Sequence, residues 1–178
     1  TLGMRHDSMD VSETDHLYDT KSSDSFSENS FRGALTYIVN DEISAYASMV
    51  ESVSPPQVGV TPERGTQYEL GVKYSPVAMN ALFSAAVYEL TQDDVATAVV
   101  QPNGVIEQQT VGEQQVRGLD LEAKAELTEN LSLIGGYSYM DTEVLRGGLN
   151  VSGVGVVSIK GNELVSAPKH SASLWGYY

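Results

Sequence analysis

Polar and apolar residues alternate one by one along much of this chain. Between residues 66 and 74, Tyr68, Leu70, Val72 and Tyr74 hold one parity; Gln67, Glu69, Gly71 and Lys73 hold the other. Between residues 112 and 144 the pattern is stronger. Asp120, Glu122, Lys124 and Glu126 oppose Leu119, Leu121, Ala123, Ala125 and Leu127, and after Thr128-Glu129-Asn130 the alternation resumes with Leu131, Leu133, Gly135, Tyr137 and Tyr139. A period of two is the signature of a strand whose two faces meet different surroundings. Sustained helical periodicity is hard to find. The pattern predicts about eight strands, near residues 1–9, 31–39, 42–52, 66–75, 79–91, 113–127, 130–142 and 169–178, most of them about as long as a tilted membrane-crossing strand of roughly 9–11 residues.

The predicted connections alternate in length. Asn40-Asp41, Ser75-Pro76-Val77-Ala78 and Thr128-Glu129-Asn130 are short; the links near 10–30, 53–65, 92–112 and 143–168 are long. Antiparallel strands joined alternately by short and long connections match the outer-membrane β-barrel, whose short turns face the periplasm and long loops the exterior. Residues 10–30, rich in Ser, Asp and Glu, read as a solvated, mobile loop or as an acidic rim that attracts cations. Gln101-Pro102-Asn103-Gly104 is a turn signal that makes residues 95–111 a projecting hairpin. The Gly- and Val-rich residues 143–165 are expected to form another.

The composition of the two faces decides what they meet. Ala123, Ala125 and Gly135 would underfill a soluble core, since interiors pack to crystal-like density. Against acyl chains small residues carry no such penalty. The opposite face, with Glu69, Lys73, Asp120, Glu122 and Lys124, could be buried in a narrow barrel only if every charge were paired. A wide barrel hydrates these groups or packs them against an internal polar domain. They are the expected lumen-facing wall network. Tyr37, Tyr74, Tyr137, Tyr139, Trp175 and Tyr178 are the expected membrane-interface aromatics, although tyrosine is also a good strand former in its own right.

Several stretches resemble one family, the TonB-dependent siderophore receptors of the Gram-negative outer membrane, in their ferric-hydroxamate branch. "TPERGTQYELGVKY" is similar to the family's Gly-x-Gln-Tyr-Glu-x-Gly-x-Lys-Tyr strand through Gly65, Gln67, Tyr68, Glu69, Gly71, Lys73 and Tyr74. "LFSAAVYELTQDDV" is similar to the strand that follows. "VRGLDLEAKAELTENLSLIGGYSYMDTEV" resembles the next hairpin through Arg117, Gly118, Glu122, Leu131, Gly136, Tyr137 and Tyr139. "GNELVSAPKHSASLWGYY" is similar to a Gly-Asn…Pro-x-His…Leu-Trp run at Gly161, Asn162, Pro168, His170, Leu174 and Trp175. The first fifty residues fit less specifically.

The resemblance implies an all-β fold: a segment of a transmembrane barrel of roughly 22 strands, with residues 1–178 as middle-to-late strands and without the family's plug domain and TonB box. It implies a receptor for ferric siderophores, energised by TonB with ExbB and ExbD through an N-terminal region, and embedded in outer-membrane lipid. No cofactor is implied; the ferric siderophore is the transported ligand. Because the family contacts its ligand with aromatics near the outer mouth of the lumen, Tyr18, Phe26 and Tyr88 become ligand-binding candidates by location, with loop packing as their alternative role. A complete eight-stranded barrel serving as anchor or adhesin is the other architecture considered, and its terminal Trp175-Gly176-Tyr177-Tyr178 would suit it. A soluble β-sandwich fits the small residues poorly.

Charge and candidate chemistry narrow the function further. The net charge of −14 does not suit nucleic acid, which needs a basic stripe. Cysteine is absent, so there is neither a disulfide framework nor a thiol site. His6, Asp7, Asp10 and His16 match no standard zinc or calcium spacing. No nucleophile elbow, phosphate loop or dinucleotide fingerprint occurs, and the sequence does not read as an enzyme.

Overall fold

The computed structural model describes residues 1–55, 58–100, 106–151 and 155–178. Ten strands account for nearly all regular structure: β1 (Leu2–Asp15), β2 (Thr20–Ile38), β3 (Ile43–Val53), β4 (Arg64–Tyr74), β5 (Ala81–Val100), β6 (Ile106–Thr128), β7 (Leu131–Arg146), β8 (Gly148–Val151), β9 (Gly155–Ser158) and β10 (His170–Tyr177). Eight of them form one antiparallel sheet in the order β1-β2-β3-β4-β5-β6-β7-β10, and β8 pairs with β9 alone. Each strand of the large sheet therefore lies beside its neighbour in sequence, apart from the small hairpin set between β7 and β10. No described helix is long and apolar enough to cross a membrane, which says nothing of strands.

The sheet is open. Among the described residues β1 pairs only with β2 and β10 only with β7. A closed eight-stranded barrel requires β1 to pair with β10, so that alternative is set aside and the expected barrel segment stands: the eight strands make a wall.

The short turns are where the sequence puts them. At the β2–β3 turn the Asn40 side-chain oxygen accepts hydrogen bonds from the backbone N–H groups of Glu42 (2.9 Å) and Ile43 (2.8 Å), the local bonding that makes Asn a turn residue. One of the long connections differs from expectation. Residues 10–15 and 20–30 are not a loop but the continuation of β1 and β2, in an unbroken ladder from Leu2↔Gly33 to Asp15↔Thr20. The reversal itself takes only residues 16–19. There Asp15 accepts from the N–H groups of Leu17 (2.8 Å) and Tyr18 (3.2 Å), and Asp19 adopts a φ of 51°. Polar side chains link the two strands, Ser25 Oγ to Asp10 at 2.7 Å and His6 Nδ1 to Asn29 Oδ1 at 2.8 Å. β5 and β6 likewise run on as a paired ribbon to Val100↔Ile106. That pairing is the expected projecting hairpin; its turn residues 101–104 lie outside the described residues. The expected hairpin within 143–165 is present as β8–β9.

The sheet encloses almost nothing. Val60, Pro62, Ala81, Ala125 and Val144 are the buried apolar side chains among the described residues, whereas Leu35 is 74% and Leu70 60% exposed. Burying one such side chain stabilises a soluble protein by roughly 1.5–3 kcal/mol. A face that leaves a whole row of them uncovered is built to meet something other than water.

Candidate functional site

The register assigns every residue of the wall to one of two faces. Cross-strand partners point to the same side of an antiparallel sheet, so rows can be followed across it. One row runs Ser48, Glu69, Tyr88, Gly118 and Met140; the next runs Tyr46, Gly71, Ala86, Asp120 and Ser138; a third runs Ser44, Lys73, Ser84, Glu122 and Gly136. Lys124 follows, opposite Leu82 and Ile134. Glu69, Lys73, Asp120, Glu122 and Lys124 thus share one face.

On this face the charges stand among small residues, and two tyrosines lie across glycines. Tyr46 pairs with Gly71 and Tyr88 with Gly118. A Cβ added at either glycine would run into the ring opposite. Glycine inside a strand usually marks such a close approach, and covering it with an aromatic ring restores the packing it lacks. The Tyr46 hydroxyl donates to Glu69 Oε1 at 2.6 Å, and the Gln67 amide donates to Glu69 Oε2 at 3.0 Å. Lys73 Nζ sits 5.4 Å from the Tyr46 ring centroid, a cation–π separation. Ser84 Oγ donates to Glu122 at 3.4 Å. Sequence reasoning missed Tyr46, because "ISAYASMVES" carries small residues on both parities. The available signal was Gly71, a glycine in the middle of a strand.

The opposite face is apolar. Its central rows are Ala47, Leu70, Val87, Leu119 and Tyr139; Ala45, Val72, Ala85, Leu121 and Tyr137; and Ile43, Tyr74, Phe83, Ala123 and Gly135. Small members leave grooves between large ones. One groove, of about 1120 Å³, runs between Leu35, Met49, Tyr68, Leu70 and Val87. A second, of about 540 Å³, runs over Ala85, Ala123 and Gly135 between Phe83 and Tyr137. Chains of methylene groups would fill such grooves. Tyr74 stacks on Phe83 with centroids 6.1 Å apart, and His170 packs against Tyr139 at 5.2 Å while its Nδ1 meets the Tyr137 hydroxyl at 2.9 Å. Beyond the Tyr139 row the face turns charged: Arg117 lies between Glu89 and Asp141 and donates from Nε to Glu89 at 2.6 Å.

The expected interface aromatics divide. Tyr37, Tyr74, Tyr137 and Tyr139 stand on the apolar face. Trp175 does not. It pairs with Ile134, itself opposite Lys124, and so belongs to the charged face; its neighbours Leu174 and Gly176 take the apolar side. Tyr178 lies past the end of β10. A correct strand assignment does not by itself fix parity, and β10, short and rich in small residues, gives parity little to read.

The three ligand-binding candidates do not meet. Tyr18 is in the β1–β2 reversal, 74% exposed. Phe26 pairs with Met9 in the same projecting arm. Tyr88 is on β5, three strands from β2. The described residues contain no group of three or more His, Cys, Asp or Glu poised to hold a metal ion.

Comparison with known proteins agrees with this geometry. The family model for "TonB dependent receptor-like, beta-barrel" matches residues 1–178. The chain is 33% identical over its whole length to the "Ferrichrome outer membrane transporter/phage receptor" of Escherichia coli K12, of which it covers 23%. It is 32% identical, again over its whole length, to the "Ferrioxamine B receptor" of Salmonella typhimurium LT2, of which it covers 25%. It therefore spans about a quarter of the curated relatives it matches. Among solved structures, the siderophore receptor PiuA from Acinetobacter baumannii superposes with a TM-score of 0.79 over 99% of this chain and 28% of that one, at 22% identity, a likeness of fold.

Proposed function

Since the chain belongs to the family of TonB-dependent receptor-like β-barrels, we propose that it supplies wall and external arms to an outer-membrane receptor that takes up ferric siderophores. The observation that carries this reading is the two-faced wall: eight meandering strands with one unpartnered apolar face and one face of charges and tyrosines. The apolar face meets outer-membrane lipid. The charged face lines the lumen, where Glu69, Lys73, Asp120, Glu122 and Lys124 form the wall network and Tyr46 holds Glu69 in place. Residues 1–178 are middle-to-late strands of a wider barrel, and the plug and TonB box belong to other parts of such a receptor. Its relatives are receptors and transporters rather than enzymes, and the work done on the ligand is capture and passage.

Capture occurs at the external ends of the strands, where the β1–β2 and β5–β6 arms project. Tyr88, on the lumen face, is the best placed of the three aromatic candidates to touch a ligand that has entered; Tyr18 and Phe26 would touch it earlier. Passage requires energy coupling through TonB with ExbB and ExbD. The relatives named for ferrichrome and ferrioxamine make iron complexes of that chemical type the ones to try first. The test is uptake of radioactive iron, supplied as ferrichrome or ferrioxamine, by Gram-negative cells whose own receptors are deleted and which express the full-length receptor. Uptake that disappears when TonB is deleted is expected. Uptake no greater than in cells without the receptor, for both complexes, would contradict the reading.

A further inference from the structure

Beyond Asp93 and Glu113 the β5–β6 ribbon leaves the sheet. β4 ends at Arg64, opposite Asp93, and β7 ends at Arg146, opposite Glu113. From Val95 to Val100 and from Ile106 to Gly112 the two strands pair only with each other, an arm of roughly 20 Å at the usual rise per residue. A two-stranded ribbon with nothing beside it is marginal and free to swing. Here its base is irregular and restrained at once. The register slips between Gln92 and Val95 and again between Val95 and Ala96. Asp94 adopts a φ of 58° and Gly112 one of 122°. Such bulges bend and re-aim a strand.

Restraints converge on this bend from both flanks. From the β4 side, Glu63 Oε1 accepts a hydrogen bond from the Ala96 N–H at 2.9 Å, taking a backbone donor freed by the slip. From the β7 side, Arg146 Nη2 reaches Glu113 Oε2 at 3.5 Å and Asp93 Oδ1 at 3.9 Å, one carboxylate on each strand of the ribbon. Gly112 lies so close to the Arg146 carbonyl that a Cβ would run into it. β8 lies against both β5 and β6. A bend alone would make a hinge. A bend held by a carboxylate on one side and a guanidinium on the other makes a bracket.

We propose that Arg146 and Glu63 are positioning residues that hold the β5–β6 arm at a fixed angle, so that the arm acts as a rigid wall of the ligand entrance rather than as a mobile loop. The statement about the entrance rests on the receptor reading above; the statement about the arm does not. Arg146 sets the direction by drawing both ribbon strands toward the end of β7. Glu63 prevents rotation away from β4. Gly112 permits the approach.

Residues 1–178 hold no cysteine, so labels can be placed in them once any cysteine elsewhere in the receptor has been replaced. Spin labels are attached to Val99→Cys, on the β5 strand of the arm, and Ser54→Cys, just past the end of β3, in the full-length receptor in outer membranes. The parent is expected to give a narrow distance distribution. The double variant Glu63→Ala/Arg146→Ala is expected to give one at least about twice as wide, with Arg146→Lys in between. In uptake assays the double variant should raise the apparent KM for the ferric siderophore by about tenfold while the maximal rate per receptor is unchanged, the signature of lost ligand positioning without lost transport. Gly112→Ala should shift the centre of the distance distribution, through a clash and a strained φ rather than through lost charge. Superimposable distributions for parent and double variant would overturn the proposal. A widened distribution with an unchanged KM would overturn the arm's role at the entrance. A widened distribution in a receptor whose parent takes up no siderophore would uphold the bracket and count against the receptor reading alone.

Discussion

The wall and its arms are made of the same strands but obey different rules. Along β4 and the lower halves of β5 and β6, each residue alternates between apolar and charged surroundings. Along the upper parts of β1 and β2, serines, carboxylates and threonines occupy both parities, as in Ser22, Ser23, Asp24 and Ser25. Both regions pair in continuous ladders. The wall is specified by what its faces meet, and slipping one residue would turn its whole apolar set to the wrong side. The arms meet water on both faces and are specified by turn chemistry, cross-strand hydrogen bonds and brackets at their bases.

The largest effect that sharpens this contrast is a charge placed in the wall. Val72→Arg sits in the central apolar row and should cost about 2–4 kcal/mol in a lipid-based folding titration, the range for arginine at a bilayer midplane. The same change at Ser23 in the arm should stay within about 0.5 kcal/mol. Equal costs at the two positions would erase the distinction.

Next come the tyrosine–glycine pairs of the charged face. Gly71→Val drives a branched side chain into the Tyr46 ring and should destabilise by about 1–3 kcal/mol, as overpacking does. Tyr46→Phe, which keeps the ring but removes the donor to Glu69, should cost about 1 kcal/mol. Denaturant titration of both variants separates steric cost from hydrogen bonding.

Smaller still is the ion pair between Arg64 and Glu28, which ties β4 to the β1–β2 arm across an exposed surface. Arg64→Ala should change stability by no more than about 1 kcal/mol, and the effect should fade in high salt. A salt-independent loss would mean that the arginine acts through packing instead.

The smallest effect is a pH dependence in the segment leading into β10. Glu163 holds the Lys169 ammonium at 2.6 Å, and that hydrogen bond, then the carboxylate's charge, raises the lysine above its ordinary 10.5. A raised lysine contributes stability that is fully present below its unfolded value and is lost only as pH rises through the higher folded one. Thermal unfolding followed by circular dichroism from pH 8 to 12 should therefore show no loss traceable to this pair at the lower end of that range. The loss should begin only above about pH 10.5 and should be absent in Glu163→Gln.

The wall was legible in the sequence because its two faces meet different surroundings and its residues record the difference. All eight strands of the large sheet are legible, including the hairpin around Thr128–Asn130. The β1–β2 arm reads as a loop for the same reason in reverse: residues 10–15 and 20–30 carry no alternation, since neither face is apolar, and strand character there comes from pairing. That Trp175 shares the charged face is not legible in β10 alone, because Ser171, Ala172 and Ser173 suit either side. Tyr46 went unseen because a hydrogen bond to Glu69 across a strand pair depends on register, which one strand read alone does not contain. The bracket at Glu63 and Arg146 was hidden likewise, joining residues from β4's entry and β7's exit to a bulge between them.

The central claim is that the wall separates lipid from lumen with the phase set by the register. It is tested most directly by single cysteines at each position from Gln67 to Tyr74, introduced into the full-length receptor in native outer membranes after any cysteine outside residues 1–178 has been replaced; residues 1–178 hold none. Each variant is labelled with a water-soluble thiol reagent or, separately, with a fluorophore quenched by brominated lipid. Positions 67, 69, 71 and 73 should react with the water-soluble reagent, and positions 68, 70, 72 and 74 should be quenched by lipid. Uniform reactivity along β4, or alternation in the opposite phase, would contradict the account.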